Sequence, residues 1–441
     1  MAWSRPRQRT GRHRLFLARS AGGPRWSGDL PAPDAWSLRR LWPGVYLPAI
    51  VVEAGIGAII PFVPAVVTAQ GGSLAVAGVL AAMLPIGHIV ADIPAGALAG
   101  RIGDRRAMQL ACLLVAVATA GAALAPSIAV LAVCLFLVGC ADAVFGLARH
   151  SYLTAVVPPL RRARALSTLG GVHRIGLFIG PFAGALVVAG GSPARAFALA
   201  VGTSLLAWLI VTLSRELPGA DDVRATEGHG GVVAVLREHR AVLARLGIAT
   251  GAIGLIRGAR QVVLPLWGAH LGLDPTTTAL VFGVSGAVDM LLFYPAGKVM
   301  DARGRLWIAI PSMLTMGLAL ALVPFTTTAT TLGLVALLLG LGNGMGSGVV
   351  MTLGADVAPP ASRAPFLGAW RLLQDLGSAG GPLVLSAGAA LGSLAGGVGA
   401  VAVLSLGAAG ALWRFVPRYS VHANRTTRAR AGIGVRPDGD R

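Results

Sequence analysis

The sequence predicts an all-α polytopic membrane protein with twelve transmembrane helices, arranged as two six-helix parallel repeats. Three observations carry this. Hydrophobic residues make up 55% of the 441-residue chain and charged residues only 12%, against about 25% charge in soluble domains, and mean hydropathy is +0.73. Apolar stretches long enough to cross a bilayer recur along most of the length. The second half repeats the first at a constant offset of 201 residues.

Taken in order, the spans of the first half fall at 44–68, 75–99, 107–126, 128–148, 167–190 and 194–213. Those of the second fall at 246–267, 276–299, 306–325, 330–356, 366–391 and 395–415. Span 1 contains Glu53. Span 2 contains His88 and Asp92, four apart and therefore one above the other on a helix. Span 4 carries Asp142 and Arg149, seven apart on a shared face, and span 5 carries Arg174. Span 7 carries Arg257 and Arg260, span 8 Asp289, and span 11 Arg371 and Asp375. Span 10 has Asn343 among five alternating glycines, Gly340 to Gly348. Spans 3, 6, 9 and 12 hold no ionisable residue, apart from Arg195 and Arg414 at the edges of spans 6 and 12. An ionised group at bilayer depth costs several kcal/mol unless it faces water or a partner. Five acids and five arginines inside otherwise apolar spans therefore predict a polar cavity through a helical bundle. The four bland helices are expected to face lipid.

The net charge of +19 would suit a nucleic-acid binder, but the placement of the bases excludes that reading. Thirty-one of the 37 Lys and Arg fall in segments on one side of the predicted membrane, five lie in the spans, and only Arg195 lies near a loop on the other side. This positive-inside pattern puts both termini in the cytosol of a cell membrane. The expected organisation is a basic arm over 1–43, a six-helix half over 44–213, a cytosolic linker over 214–245 with a weakly amphipathic stretch at 232–246, a second half over 246–415, and a basic tail over 416–441. Cys112, Cys134 and Cys140 all fall in spans and read as small core residues, neither a disulfide framework nor a metal site. No cleavable signal is evident in residues 1–42. The arginine bias suggests a GC-rich, bacterial genome.

The duplication is legible in the turn residues. Pro64 meets Pro265, Pro94 meets Pro295, Pro158-Pro159 meets Pro359-Pro360, and Gly180-Pro181 meets Gly381-Pro382. Five of the eleven prolines between 44 and 240 find proline at the offset, where chance predicts fewer than one. Six spans per copy keep both copies in one orientation, so the halves are related by an axis along the membrane normal.

The loop after the second helix of each half has a recognisable pattern. In the second half it reads Gly297-Lys298-Val299-Met300-Asp301-Ala302-Arg303-Gly304-Arg305, and in the first Gly96-Ala97-Leu98-Ala99-Gly100-Arg101-Ile102-Gly103-Asp104-Arg105-Arg106. Span 5 adds Gly176-Leu177-Phe178-Ile179-Gly180-Pro181-Phe182-Ala183-Gly184. By these motifs the chain resembles the major facilitator superfamily over about 44–415. The resemblance implies transport by rocking of two halves around a central site. It also implies that Asp301, flanked by Arg303 and Arg305, helps latch the cytoplasmic gate. Gly100 stands where the first half would carry that acid; a basic turn without a gating role is the alternative. The span 5 pattern looks like the family's antiporter motif and implies proton-coupled export, although Gly381-Pro382 in span 11 is also consistent with repeat symmetry alone. The family's span 4 arginine motif is absent before Gly139.

The remaining residues sort by chemistry. Proton-coupling candidates are Glu53 and Asp289, which have no base three or four residues away, then Asp142, then the His88–Asp92 pair, since histidine titrates near neutral pH. Arg257 and Arg260 on one face suit an anionic part of a substrate, with Asn343 a further substrate-binding candidate; internal pairing with Glu53 and Asp289 is the alternative. Arg174, Arg371 and Asp375 read as gating residues, because Arg174 and Asp375 occupy equivalent positions in the two halves. Gly180 and Pro181 join them by the motif. No Walker-type loop, nucleophile–base pair or metal-ligand cluster is seen, so neither an enzyme nor a cofactor or metal site is expected. The expected partners are a small-molecule substrate, protons and the lipid bilayer, with the protein a monomer. The function expected is proton-coupled efflux of a small organic solute, with metabolite uptake, or a receptor or scaffold without transport, as alternatives.

Overall fold

The computed structural model of the chain describes residues 41–157, 159–214, 237, 239–346, 348–359 and 363–430. The basic arm, most of 214–245 with its amphipathic stretch, and the end of the tail lie outside the described residues. Among the described residues the regular structure is entirely helical. The first half consists of α1 (Trp42–Ala69), α2 (Leu74–Ile102), α3 (Asp104–Ala123), α4 (Ile128–Val156), α5 (Pro159–Val188) and α6 (Arg195–Leu213). The second consists of α7 (Arg240–His270), α8 (Pro275–Arg303), α9 (Leu306–Phe325), α10 (Ala329–Gly346, continued as Val349–Val357), α11 (Arg363–Ala390) and α12 (Leu394–Tyr419). A short α13 (Arg425–Arg430) follows. Eleven of these are long and apolar enough to cross a membrane. The twelfth, α11, carries Arg371, Gln374 and Asp375 and packs along α7 and α2.

Several helices outrun the expected spans, all at the end that bears the basic loops. α4 continues to Val156 instead of stopping at 148, α5 begins at Pro159 instead of 167, and α7 begins at Arg240, inside the expected linker. An apolar window marks only the stretch that needs hydrocarbon, whereas the backbone hydrogen-bond ladder continues into the interface regardless of side-chain polarity.

The offset of 201 recurs in backbone geometry. Gly71 and Gly272 both take positive φ, as do Gly103 and Gly304. Ser73 caps α2 by accepting from the Val76 N–H, and Asp274 caps α8 by accepting from Thr277. Ser127 caps α4 and Thr328 caps α10 in the same way. Packing repeats as well. α1 lies on α5 and α6, α2 on α4, and α3 on α4 and α6; α7 lies on α11 and α12, α8 on α10, and α9 on α10 and α12. Across the halves, α2 lies against α11 and α5 against α8.

The bland helices expose large apolar side chains, among them Val117 on α3, Leu209 on α6, Leu318 on α9 and Trp413 on α12. Such a surface is stable only against lipid. The close helix pairs are built on glycine. A Cβ on Gly180 would stand 2.5 Å from the Ala54 carbonyl oxygen of α1, and one on Gly381 would stand 2.3 Å from the Leu255 oxygen of α7. The glycine–proline motif thus seats α5 on α1, and its copy seats α11 on α7, with Pro181 buried in the same packed region. The alternating glycines of α10 divide by face: Gly340 and Gly344 admit the backbone of α8, while Gly342 and Gly346 admit α9.

Candidate functional site

A cavity of about 350 Å³ lies between the halves. α1, α2, α4 and α5 supply one wall, α7 and α11 the other, and its polar lining includes Glu53, His88, Asp142, His173, Arg371 and Asp375. These side chains form a connected cluster. Glu53, buried on α1, meets Nδ1 of His173 at 2.6 Å and Nη1 of Arg149 at 3.7 Å. Arg149 also lies over the Phe145 ring at 5.2 Å. His88 places Nδ1 3.4 Å from Asp142 and Nε2 3.7 Å from Asp92. Its Nε2 also lies 3.4 Å from Nη2 of Arg371, across the two halves. Arg371 in turn pairs with Asp375 at 3.5 Å, one turn along α11.

The second cluster centres on Asp289 of α8. Asn343 donates to its Oδ2 at 2.7 Å, Arg174 of α5 donates to Oδ1 at 3.4 Å, and Arg260 of α7 stands 3.7 Å away. Arg260 also donates to Ser285 at 3.3 Å, and Arg257 donates to the Gly346 carbonyl. The Nε atoms of Arg257 and Arg260 are buried without a hydrogen-bond partner. The close approach of α8 and α10 at Gly344 brings Asn343 to Asp289. Neither Arg257, Arg260 nor Asn343 is among the residues lining the cavity.

Two readings made from sequence spacing change here. Glu53 and Asp289 have no base three or four residues away on their own helices, yet both are heavily partnered, because the partners come from α4, α5, α7 and α10. Asp142 and Arg149 share a helix face, but Asp142 turns to His88 and Arg149 to Glu53. Spacing along one helix cannot report contacts between helices. His173 escaped the sequence reading altogether; its signal was a second ionisable group beside Arg174 in span 5.

The third polar group lies at the basic end. Arg305 donates to Asp301 at 3.0 Å and grips Asp356 at 3.1 and 3.3 Å, and Ser420 donates to the same Asp356 at 2.9 Å. Burial opposes the charge on Arg305, but the hydrogen bonds and charges of Asp356 and Asp301 outweigh it and hold its pKa above the ordinary arginine value. Asp301 itself is 77% exposed. Arg303 lies over the Trp307 ring at 5.6 Å. In the first half Arg105 donates to the carbonyls of Val211, Thr212 and Ser214 at the end of α6. In each half an arginine of this motif thus ties the start of the third helix toward the end of that half's last helix, directly in the first half and through Asp356 in the second.

Among the described residues, close contacts between the halves gather at one end. Away from the basic loops, Ser386 of α11 donates to the Ala75 carbonyl of α2 at 2.6 Å. A Cβ on Gly283 of α8 would meet Phe182 of α5 at 2.8 Å. At the opposite ends of these four helices, Gly100, Gly170, Gly297 and Gly368 each have nothing within 4 Å of where a side chain would begin. Among the described residues the close contacts of these helices thus gather at one end, and at these four glycines the end that bears the basic loops is open.

Comparison with known proteins agrees with this architecture. The family described as Major Facilitator Superfamily matches residues 45–382 and, in a second alignment, 246–434. A multidrug resistance protein, MdtH, of Klebsiella pneumoniae is 25% identical over 345 residues, covering 74% of this chain and 81% of that protein. An uncharacterized MFS-type transporter, YhjO, of Bacillus subtilis is 24% identical over 317 residues, covering 71% and 77%. The crystal structure of nucleoside transporter NupG superposes with a TM-score of 0.70 at 14% identity, covering 85% of this chain and 98% of that one.

Proposed function

The chain belongs to the Major Facilitator Superfamily of multi-pass membrane transporters, and from that premise we propose that it exports a small organic solute in exchange for protons. The observation that carries this reading is the cavity between the halves, lined by titratable groups from both, closely packed at one end among the described residues and open at the glycines of the other. With both termini in the cytosol, as the distribution of bases indicates, the open end faces the cytosol. The shape is then that of an inward-open state ready to load from inside. The mode of transport is rocking of the halves about the α2–α11 and α5–α8 contacts. Export is supported by the Gly176–Gly184 motif and by the likeness to a multidrug resistance protein.

In this cycle Arg174 and Asp289 bridge the halves through α5 and α8, and Arg371 and His88 bridge them through α11 and α2. Both contacts lie nearer mid-depth than Ser386 and Ala75, so rocking strains or breaks them. Asp301 is exposed and paired with Arg305 at the end that bears the basic loops, and in this reading it exchanges that partner when the ends close. The test is flux into inside-out proteoliposomes of the purified chain. An imposed pH gradient, acidic within, should drive accumulation of a fluorescent efflux substrate, and a protonophore should abolish it. Flux that ignores the gradient would leave a uniporter of the same fold, and retained binding without flux would leave a receptor.

A further inference from the structure

The end of the chain folds back onto the loop that carries Asp301. α12 stops at Tyr419, and residues 420–424 then cross the turn between α8 and α9 before α13 begins. The main-chain N–H groups of Arg305 and Leu306 donate to the carbonyls of His422 and Ala423 at 3.1 and 3.0 Å. A helix begins with N–H groups that have no partner within the helix, and no side chain caps α9. Its start is capped instead by main-chain carbonyls from the far end of the chain. Gly304 lies beneath the crossing, with φ +107°. A Cβ there would stand 2.7 Å from the Ala423 oxygen, so this glycine of the loop motif also seats the tail.

The crossing is fastened on both sides. Ser420 and Ala423 are buried. The Ser420 hydroxyl donates to Asp356 of α10 at 2.9 Å and accepts from the His422 N–H at 3.2 Å. Asn424 and Thr427 each accept from the other's main-chain N–H, at 2.9 and 3.0 Å, and so fix the start of α13. Tyr419 accepts from Arg245 of α7 at 3.1 Å. These contacts join α7, α9, α10 and α12, all within the second half. In the first half the linkage is made by a side chain, Arg105, and Gly100 stands where the second half has Asp301. The loop that keeps the acid is the loop to which the tail is fastened.

We propose that residues 420–427 form a strap that positions Asp301 for closure of the end bearing the basic loops. The inference goes beyond proton-driven export, since it needs only that the two ends open in alternation. The strap is anchored inside one half, so it travels with that half as a body and stays docked as the ends close. Asp301 lies one turn before Arg305, and closure has to hold that turn against the first half. A turn already fixed by the strap loses little conformational freedom at that step, whereas an unstrapped turn has to be ordered then. The strap therefore raises the share of molecules in which the basic end is closed. Ser420, Ala423 and Gly304 act through Asp301 and are positioning residues.

The test reads that share from the opposite end. In a chain lacking Cys112, Cys134 and Cys140, Ser386→Cys serves as reporter. Ser386 is 5% exposed, so N-ethylmaleimide reaches a cysteine there when the halves part at that end and close at the other. A chain ended after Tyr419 should label at least about fivefold more slowly than the full chain, because fewer molecules reach the closed state. A chain ended after Arg430 keeps the strap and should label at the full rate; a slow rate there as well would move the effect out of the strap and overturn the proposal. Ala423→Trp keeps the length but expels the strap from a buried seat, and it should match the shorter truncation. If thermal unfolding shows that the truncation does not fold, Ala423→Trp decides. A strap that only stabilised the second half would lower the melting temperature and leave the labelling rate unchanged. An unchanged or faster rate in either folded variant therefore overturns the proposal. Strap-dependent labelling in a protein whose flux ignores a pH gradient would instead sink proton-driven export and leave the strap standing.

Discussion

Glu53 and Arg149 show what a membrane interior asks of single residues. Their side chains are 2% and 8% exposed, 3.7 Å apart, and held by His173 and the Phe145 ring. Removing one partner of a buried pair leaves the other charge uncompensated and typically costs about 3 to 5 kcal/mol. Glu53→Gln should therefore lower the unfolding temperature of the detergent-solubilised protein markedly. The Glu53→Gln, Arg149→Met double variant should recover part of the loss, and a double variant no more stable than Glu53→Gln alone would show that the pair is not coupled. Arg305 gives a second contrast. Asp356 is only 10% exposed and shared with Ser420, whereas Asp301 is exposed. Asp356→Asn should cost about 1.5 to 3 kcal/mol, as expected for charge-assisted hydrogen bonds, and Asp301→Asn at most about 1. Equal losses in urea or thermal melts would contradict this assignment.

At the scale of elements, the helices meet where side chains are missing. Any Cβ on Gly180 must displace the backbone of α1 at Ala54 and Ala58, and overpacking of this kind costs about 1 to 3 kcal/mol. Gly180→Leu should thus destabilise the fold and separate α5 from α1, whereas Gly170→Ala, on the same helix but facing open space, should be silent. A Gly180→Leu protein with wild-type melting would mean that the two helices are not in close contact. The motif in span 5 was readable, but its packing role was not. The same letters are consistent with an antiport signature or with repeat symmetry, and only the matching seat of Gly381 on α7 shows that both halves use it structurally.

For the whole molecule, the asymmetry between the two ends yields a direct test. In a variant lacking Cys112, Cys134 and Cys140, the pair Gly78→Cys and Ser386→Cys should form a disulfide readily. A Cβ on Gly78 would lie 2.9 Å from the Ser386 Cβ, so the two helices need only part slightly to reach the usual approach of about 3.5 to 4.5 Å for a bridge. Gly100→Cys and Gly368→Cys, on the open ends of the same two helices, should not cross-link in this state. Locking the first pair should stop transport, since the halves could no longer part at that end; full flux by a locked protein would show that this end need not open. A cytosol-only fluorescent reporter fused after Arg441 checks the orientation on which the inward-open reading depends, and a dark but expressed fusion would reverse it.

Hydropathy and the 201-residue repeat were enough to determine the helical membrane fold and its duplication, and the loop and span 5 motifs carried the resemblance to the family. These properties are written locally: a bilayer selects apolar runs one by one, and a repeat is a comparison of letters. The repeat even anticipated caps and turns, since Ser73 and Asp274, or Gly103 and Gly304, occupy equivalent ends. Which acid meets which base was not written there. Counting found five of each and suggested balance, but pairing depends on how helices distant in sequence are rotated and brought together. That was decided by glycine contacts such as Gly344 against α8 and Gly180 against α1. Tertiary packing alone sent Arg149 to Glu53, set three arginines around Asp289, and left a carboxylate-rich cavity on the other side, because an electrostatic field depends on distance through space and not on order along the chain.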